Sequence, residues 1–188
     1  MKKLFALLLA VSMLAVFALP AAATAAQIRD VLRLTNNERR MNFRPALRES
    51  AALNAAAAVR AREIAQSAQT WSHTRPNGTN WSTVLAQHNV TGWAHASENL
   101  ARISGGTNPS AASRAVSSWM NSTTGHREAL LRPDLTHVGH GVHRHVAVNG
   151  TVTYFWAQIF IHDGSSNNLG LWDIIVGVVL NLLRMVGF

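Results

Sequence analysis

The sequence predicts an α+β fold, on three observations. Val138, Val142, Val146 and Val148 form a β-rich run, and Thr151 to Ile161 alternates Val152, Tyr154 and Trp156, the period-two pattern of half-buried strands. Asn149-Gly150 lies between these runs, and both residues tolerate the positive φ that a two-residue hairpin turn demands. Upstream, the segments ending at Arg40, Ser67 and Asn121 have helical period instead. Helices first and an antiparallel hairpin last describe an α+β sandwich.

The first 25 residues are read as a segment outside that fold. Lys2 and Lys3 precede an apolar run from Leu4 to Leu19, and Ala23-Thr24-Ala25 is a small-x-small cleavage pattern, with Ala21-Ala22-Ala23 competing. This is the layout of a secretory signal peptide. Lys2 and Lys3 are the only lysines among 17 Lys and Arg, so the chain beyond the leader sets 15 arginines against 9 Asp and Glu, a net charge of +6. Such a surface is drawn to anionic envelope polymers and lipid head groups. The arginines are scattered, without an aromatic-interleaved basic run, which argues against nucleic acid as a partner. The absence of cysteine excludes a disulfide scaffold in an exported protein. Packing must hold the fold, and about 140 residues ahead of the tail suffice for one core.

Gln27 to Arg40 reads as the first helix, with Ile28, Val31, Leu32 and Leu34 on its apolar face. Met41 to Pro45 is a connector with Leu47 packed beneath it. Ser50 is placed to cap a second helix, Ala51 to Ser67, whose small side chains allow close approach to a neighbouring layer. Arg60 and Arg62 lie toward its end, where cations suit the negative pole of the helix dipole. Trp71 to Gly78 is a loop turned by Pro76-Asn77-Gly78, followed by a short helix from Trp81 to near His88. Arg102 to Pro109 reads as a Gly-rich surface loop, with Asn108 and Pro109 opening the next helix. That helix runs to near Asn121, with Ala112, Ala115, Val116 and Trp119 inward. Ser122 to Gly125 is a polar turn that presents His126 ahead of another short helical run. Trp71, Trp81, Trp93, Trp119 and Trp156 are expected in the core or on a cleft wall.

Six motifs occur in a telling order: Leu34-Thr35-Asn36-Asn37-Glu38-Arg39, Ser72-His73-Thr74-Arg75-Pro76-Asn77-Gly78, Glu98-Asn99-Leu100-Ala101, Trp119-x-x-Ser122-x-x-Gly125-His126-Arg127, Val138-Gly139-x-Gly141-Val142 and Trp156-Ala157-Gln158-Ile159-Phe160. From Ile28 to Asp163 the chain resembles bacterial CAP-domain proteins, the SCP-like extracellular proteins related to cysteine-rich secretory proteins, antigen 5 and plant pathogenesis-related proteins. The resemblance implies a CAP-type α-β-α sandwich over residues 27–163, with a central antiparallel sheet and a cleft. In the family the cleft is often lined by two histidines and two glutamates able to hold a divalent metal. His73, Glu98 and His126 match three of these positions. The second glutamate is replaced by Ser122, and Glu128 does not stand in for it.

Two imidazoles and a carboxylate can offer zinc three ligands and leave a place for water. Glu98 can equally hydrogen-bond one ring and fix its tautomer with no metal present. The reading favours the metal-free cleft, with no cofactor required. Catalysis would need a base beside metal-bound water, or Ser72, Ser97 or Ser122 activated by His73 or His126, and no zincin or nucleophile-elbow motif supports either. The leading expectation is a secreted or envelope-associated binding protein whose cleft comprises His73, Glu98, Ser122 and His126. Its ligand would be a lipid, a peptide or a cell-wall polymer. The alternative is a metal-dependent hydrolase using His73, Glu98 and His126. His143 and His145 share a strand face by period two and are read as solvated. His140 lies between two glycines where the family usually has an apolar residue.

The family pattern does not account for the tail. Leu169 to Phe188 is apolar except for Asp173, Asn181 and Arg184, and with Gly177 these fall in a helical stripe roughly 80° wide. Its length barely reaches across a bilayer, and its charges bring the insertion energy near zero. The expectation is a helix lying in the membrane interface or associating with copies of itself through its polar face. Residues 164–168 would serve as the linker that lets it leave the domain.

Overall fold

The computed structural model describes residues 24–66, 71–105 and 108–187. The expected leader lies outside the described residues except for its last two positions, which open helix α1 (24–41). The order that follows is β1 (Arg48–Glu49), α2 (Ala51–Ala65), α3 (Thr83–Gln87), β2 (His95–Ser104), α4 (Asn108–Met120), α5 (His126–Leu131), β3 (His137–Val146), β4 (Val152–His162) and α6 (Leu171–Met185). The strands form one sheet in the order β1-β3-β4-β2. β2, β3 and β4 are antiparallel neighbours. β1 adds a two-residue parallel edge, Arg48 opposite His137 and Glu49 opposite Val138. The sheet is therefore mixed rather than purely antiparallel.

Helices cover both faces because side chains alternate along each strand. On one face Leu53, Ala56, Ala57, Ala61 and Ile64 of α2, with Val84 and Leu85 of α3, pack on Leu100, Ala157 and Ile159. On the other, Val31, Ala112, Ala115, Trp119 and Leu130 from α1, α4 and α5 pack on Ala101, Val138, Trp156 and Phe160. α2 starts where Ser50 accepts a hydrogen bond from the Leu53 N–H at 3.4 Å. It lies unusually close to the sheet. A Cβ at Gly139 would strike the backbone of Leu53, and one at Gly141 the backbone of Ala57. Both glycines are thus fixed by close approach of α2 to β3.

Two local expectations are corrected. β2 continues to Ser104, so the Gly-rich loop starts only at Gly105. Residues 102–104 pair with β4, Arg102 opposite Phe155 and Ser104 opposite Thr153. The hairpin between β3 and β4 is not a two-residue turn. Gly150 alone has positive φ, at 81°, and its N–H bonds the Ala147 carbonyl at 2.9 Å. One left-handed glycine after a turn is the longer-loop solution, helped by the Asn149 side chain accepting from the Thr151 N–H at 3.0 Å.

The tail is helical but tied down. Asn167 donates to the carbonyls of Leu135 at 2.6 Å and Ala46 at 3.3 Å, so the stretch ahead of α6 is anchored rather than free. The polar stripe of α6 faces its own domain: Asp173 pairs with Arg40 at 2.9 Å, Asn181 donates to the Met41 carbonyl at 3.0 Å, and Arg184 pairs with Glu38 at 2.7 Å. Gly177 sits against the Arg40 backbone, where a Cβ would not fit. The polar face is occupied, and association of copies through it does not fit this arrangement. Among the described residues no helix is long and apolar enough to cross a membrane.

Candidate functional site

β2 is the outer strand of the sheet opposite β1, and consecutive residues on it point to opposite faces. Glu98 points toward α2, and Asn99 toward α1 and α5. The expected residues converge around this edge. His73 arrives from the loop after α2, which is held by an antiparallel bridge between Thr74 and Asn80 and by the Trp81 N–H on the His73 carbonyl at 2.9 Å. Its turn closes where Gly78, at φ 81°, donates to the Arg75 carbonyl. His126 opens α5 directly after Gly125 at φ 99°, a left-handed conformation that favours glycine. Asn99 Nδ2 fixes its backbone by donating to the His126 carbonyl at 3.0 Å.

Together Trp71, Ser72, His73, Leu100, Thr124 and His126 line a cleft of about 280 Å³. Glu98 lies beneath it, with a side chain 0% exposed. Its Oε1 accepts from Arg60 Nε at 2.7 Å, and its Oε2 from Arg60 Nη2 at 3.3 Å and His73 Nδ1 at 2.8 Å. A carboxylate can only accept, so His73 carries the proton on Nδ1 and turns Nε2 away from Glu98. His126 Nδ1 lies 3.0 Å from Ser122 Oγ, which also approaches Thr124 Oγ1 at 3.1 Å and accepts from the Thr124 N–H at 3.2 Å. Burial, then the nearby His73, lower the pKa of His126, with Glu128 opposing, so this ring is neutral at neutral pH.

Arg60 is the residue that sequence reasoning misplaced. It does not serve the helix dipole; it is wholly buried and links Glu98 to Glu63, 2.6 Å from its Nη1, and to the Ser72 carbonyl, 2.8 Å from its Nη2. Glu63 in turn holds Arg75 at 2.6 Å. Burial alone would lower the Arg60 pKa, but hydrogen bonds and charge from Glu98 and Glu63 raise it overall. Burial would likewise raise that of Glu63, yet Arg75 and Arg60 lower it. The signal was available: Leu53, Ala56, Ala57, Arg60, Ala61 and Ile64 form one buried stripe, so helical periodicity puts Arg60 inside. Arg62, its neighbour in the same reading, is exposed.

On the opposite face a row of polar side chains crosses three strands. Gln158 Nε2 donates to Thr35 Oγ1 and His140 Nε2, both at 2.9 Å, and Asn99 donates to Gln158 Oε1 at 3.2 Å. His140 is fully buried, and burial lowers its pKa to about 3. It fills the core as a neutral imidazole and lines no cavity with the cleft residues. Arg39, also buried, ties α1 to the end of α5 through the carbonyls of Leu130 at 2.7 Å and Arg132 at 3.0 Å. Trp119 and Trp156 are core residues, whereas Trp71 and Trp93 are exposed. A larger groove of about 570 Å³ flanks α5, lined by Arg44, His95, Ser97, Arg127 and Glu128 among others. It contains neither His73 nor His126.

Among the described residues no group of three or more His, Asp and Glu side chains is placed to hold a metal ion. The donor chemistry agrees. Both oxygens of Glu98 are engaged, and a buried guanidinium already supplies positive charge there. A cation bound to Glu98 would have to displace Arg60 or be repelled by it.

An α-β-α sandwich with His73 and His126 converging at an edge strand defines the class. Residues 32–160 match the model of the cysteine-rich secretory protein family, CAP, and the chain belongs to that family. It does so without the cysteines of the family's name. No curated protein matches it. Among solved structures, it is similar to an extracellular protein containing an SCP domain from Bacillus anthracis str. Ames, at 24% identity and TM-score 0.58, covering 74% of this chain and 41% of that one. An outer surface protein of Borrelia burgdorferi aligns at 21% identity and TM-score 0.56, covering 73% and 93%. A cysteine-rich secretory protein of Staphylococcus aureus aligns at 17% identity and TM-score 0.51, covering 74% and 39%. The chain thus spans less than half of the Bacillus and Staphylococcus proteins, and at these identities the likeness is one of fold.

Proposed function

We propose that this chain is an extracytoplasmic binding protein whose cleft takes a polar ligand without a metal, and that the ligand is a segment of a wall or envelope polymer. One observation carries this reading. The carboxylate beneath the cleft is consumed by Arg60 and His73, so the cleft presents imidazoles, hydroxyls and an aromatic wall rather than a free carboxylate. Such a surface recognises hydroxyl- and amide-bearing groups by hydrogen bonding, with Trp71 as an apolar platform. Arg102 lies 6.0 Å from the centre of the Trp71 ring and steadies it by cation–π attraction. The net positive charge favours approach to an anionic envelope.

Calorimetric titration with soluble peptidoglycan fragments tests the proposal. Binding is expected with chelator present, with a loss of roughly tenfold or more in Trp71→Ala and His126→Ala. Chelator-sensitive turnover of those fragments, abolished by His126→Ala, would replace this reading with the hydrolase. The pH dependence has a definite sign. His126 is held neutral, so a ligand hydrogen bonded to its free nitrogen as acceptor is bound above the lowered pKa and lost as acid protonates the ring.

A further inference from the structure

Helix α6 is docked inside out. Its polar stripe is spent on α1, through Arg40–Asp173, Asn181 on the Met41 carbonyl and Arg184–Glu38. Its apolar side faces away from the domain, with Leu171 73%, Trp172 69% and Val186 69% exposed, and with Ile175, Val179 and Leu182 exposed between them. Leaving such side chains in water is costly, at about 25 cal/mol for each Å² of apolar surface. The fold has placed them there through four fitted contacts, Gly177 on the Arg40 backbone included.

Three features select the occupant of that face. At 100° per residue the exposed apolar positions from Ile174 to Leu183 sweep about 180° of the helix, wider than the seam that a second helix covers. The helix has 15 residues, about 22 Å long, short of the roughly 30 Å of a hydrocarbon core. The chain beyond the leader is strongly basic, with a net charge of +6, and the groove beside α6 is rimmed by Arg33 and Arg184, whose side chains are 60% and 59% exposed. The Arg33 pair with Asp30 is exposed and weak, so Arg33 can turn to lipid phosphates with its stem along apolar surface, while Arg184 stays on Glu38.

We infer that α6 is a membrane-interface helix that seats the domain flat on an anionic bilayer while its polar stripe stays locked to α1. The helix neither spans the membrane nor leaves the domain. Trp172, at its first turn, lies at the level of the head groups. This placement is independent of the cleft ligand.

The chain from residue 24 carries every described element and both core clusters, and it removes the leader from the comparison. It is mixed with vesicles of equal parts phosphatidylcholine and phosphatidylglycerol, and with pure phosphatidylcholine, and floated on a density gradient. Flotation with the anionic vesicles is expected, weakened by salt and by omission of phosphatidylglycerol. Quenching of tryptophan emission by brominated lipid is expected in the wild type and largely lost in Trp172→Phe. The double variant Ile175→Asp, Val179→Asp should lower partitioning by roughly tenfold or more with an unchanged far-ultraviolet spectrum and melting temperature. Wild-type protein remaining in the lipid-free fraction overturns the inference, as does a double variant that floats equally well. A lipid-free, concentration-dependent dimer in sedimentation that the double variant abolishes assigns the face to a second copy instead, and also overturns it.

Discussion

Helices α2 and α6 each have 15 residues, and they face the domain in opposite senses. α2 turns its small apolar stripe inward, with Arg60 set in the middle of it, whereas α6 turns in its charges and leaves its apolar side out. In both, the inward charge meets a waiting partner: Glu98 for Arg60, Glu38 for Arg184, and Arg40 for Asp173. The contrast separates two questions that amphipathicity merges. Periodicity shows that a helix has two faces; partners elsewhere in the chain decide which face goes in.

The largest effect is expected on the α2 side. Arg60→Met leaves Glu98 without its buried cation, while Glu63 keeps Arg75, and should cost about 3–5 kcal/mol in urea unfolding, with the His73 loop displaced. A loss under 1 kcal/mol would make the Arg60 network no more important than the surface contacts of α6.

Between the two helices lies the polar row on the α1 face. His140 has its pKa lowered to about 3 by burial, against about 6.5 in the unfolded chain. The native state then binds fewer protons than the unfolded one. Stability is complete above about pH 6.5 and falls as pH drops toward 3, by about 3 kcal/mol at pH 4.5. Urea melts across this range should show that slope in the wild type and a flatter one in His140→Gln. Equal slopes would assign acid sensitivity to other groups.

Next come the two close approaches. Gly141→Val drives a side chain into the Ala57 backbone and Gly177→Val drives one into the Arg40 backbone. Overpacking of this kind costs about 1–3 kcal/mol or more. In Gly141→Val the whole domain should lose stability. In Gly177→Val the melting of the core should change little, while proteolysis within 164–170 speeds up as α6 lifts away. Unfolding of the whole domain in Gly177→Val would make α6 an integral part of the core. The smallest effect is expected for Arg184→Ala, which removes an exposed ion pair with Glu38 and should shift stability by about 0.2–1 kcal/mol.

Much of the candidate site's placement was legible in the chain. His73, Glu98, Ser122 and His126 stand in recognisable motifs, and the structure brings Glu98 onto His73 and Ser122 onto His126. Arg60 was not legible as their partner, because Glu98 lies 38 positions away and only the register of α2 on the sheet joins them. The β-rich character of 138–161 was plain. The form of its turn was not, because Asn-Gly permits a two-residue loop without requiring one.

By itself the sequence determined the α+β order, the alanine stripe that lets α2 approach Gly139 and Gly141, and the 80° stripe of α6. These are local properties, set by period, side-chain size and backbone freedom. Only the tertiary structure decided that Glu98 is spoken for, that His140 is a neutral core residue, and that α6 lies with its charges inward. Each depends on which distant group supplies the opposite charge or the missing hydrogen bond. Burial is favourable for a polar group only where such a partner is already in place.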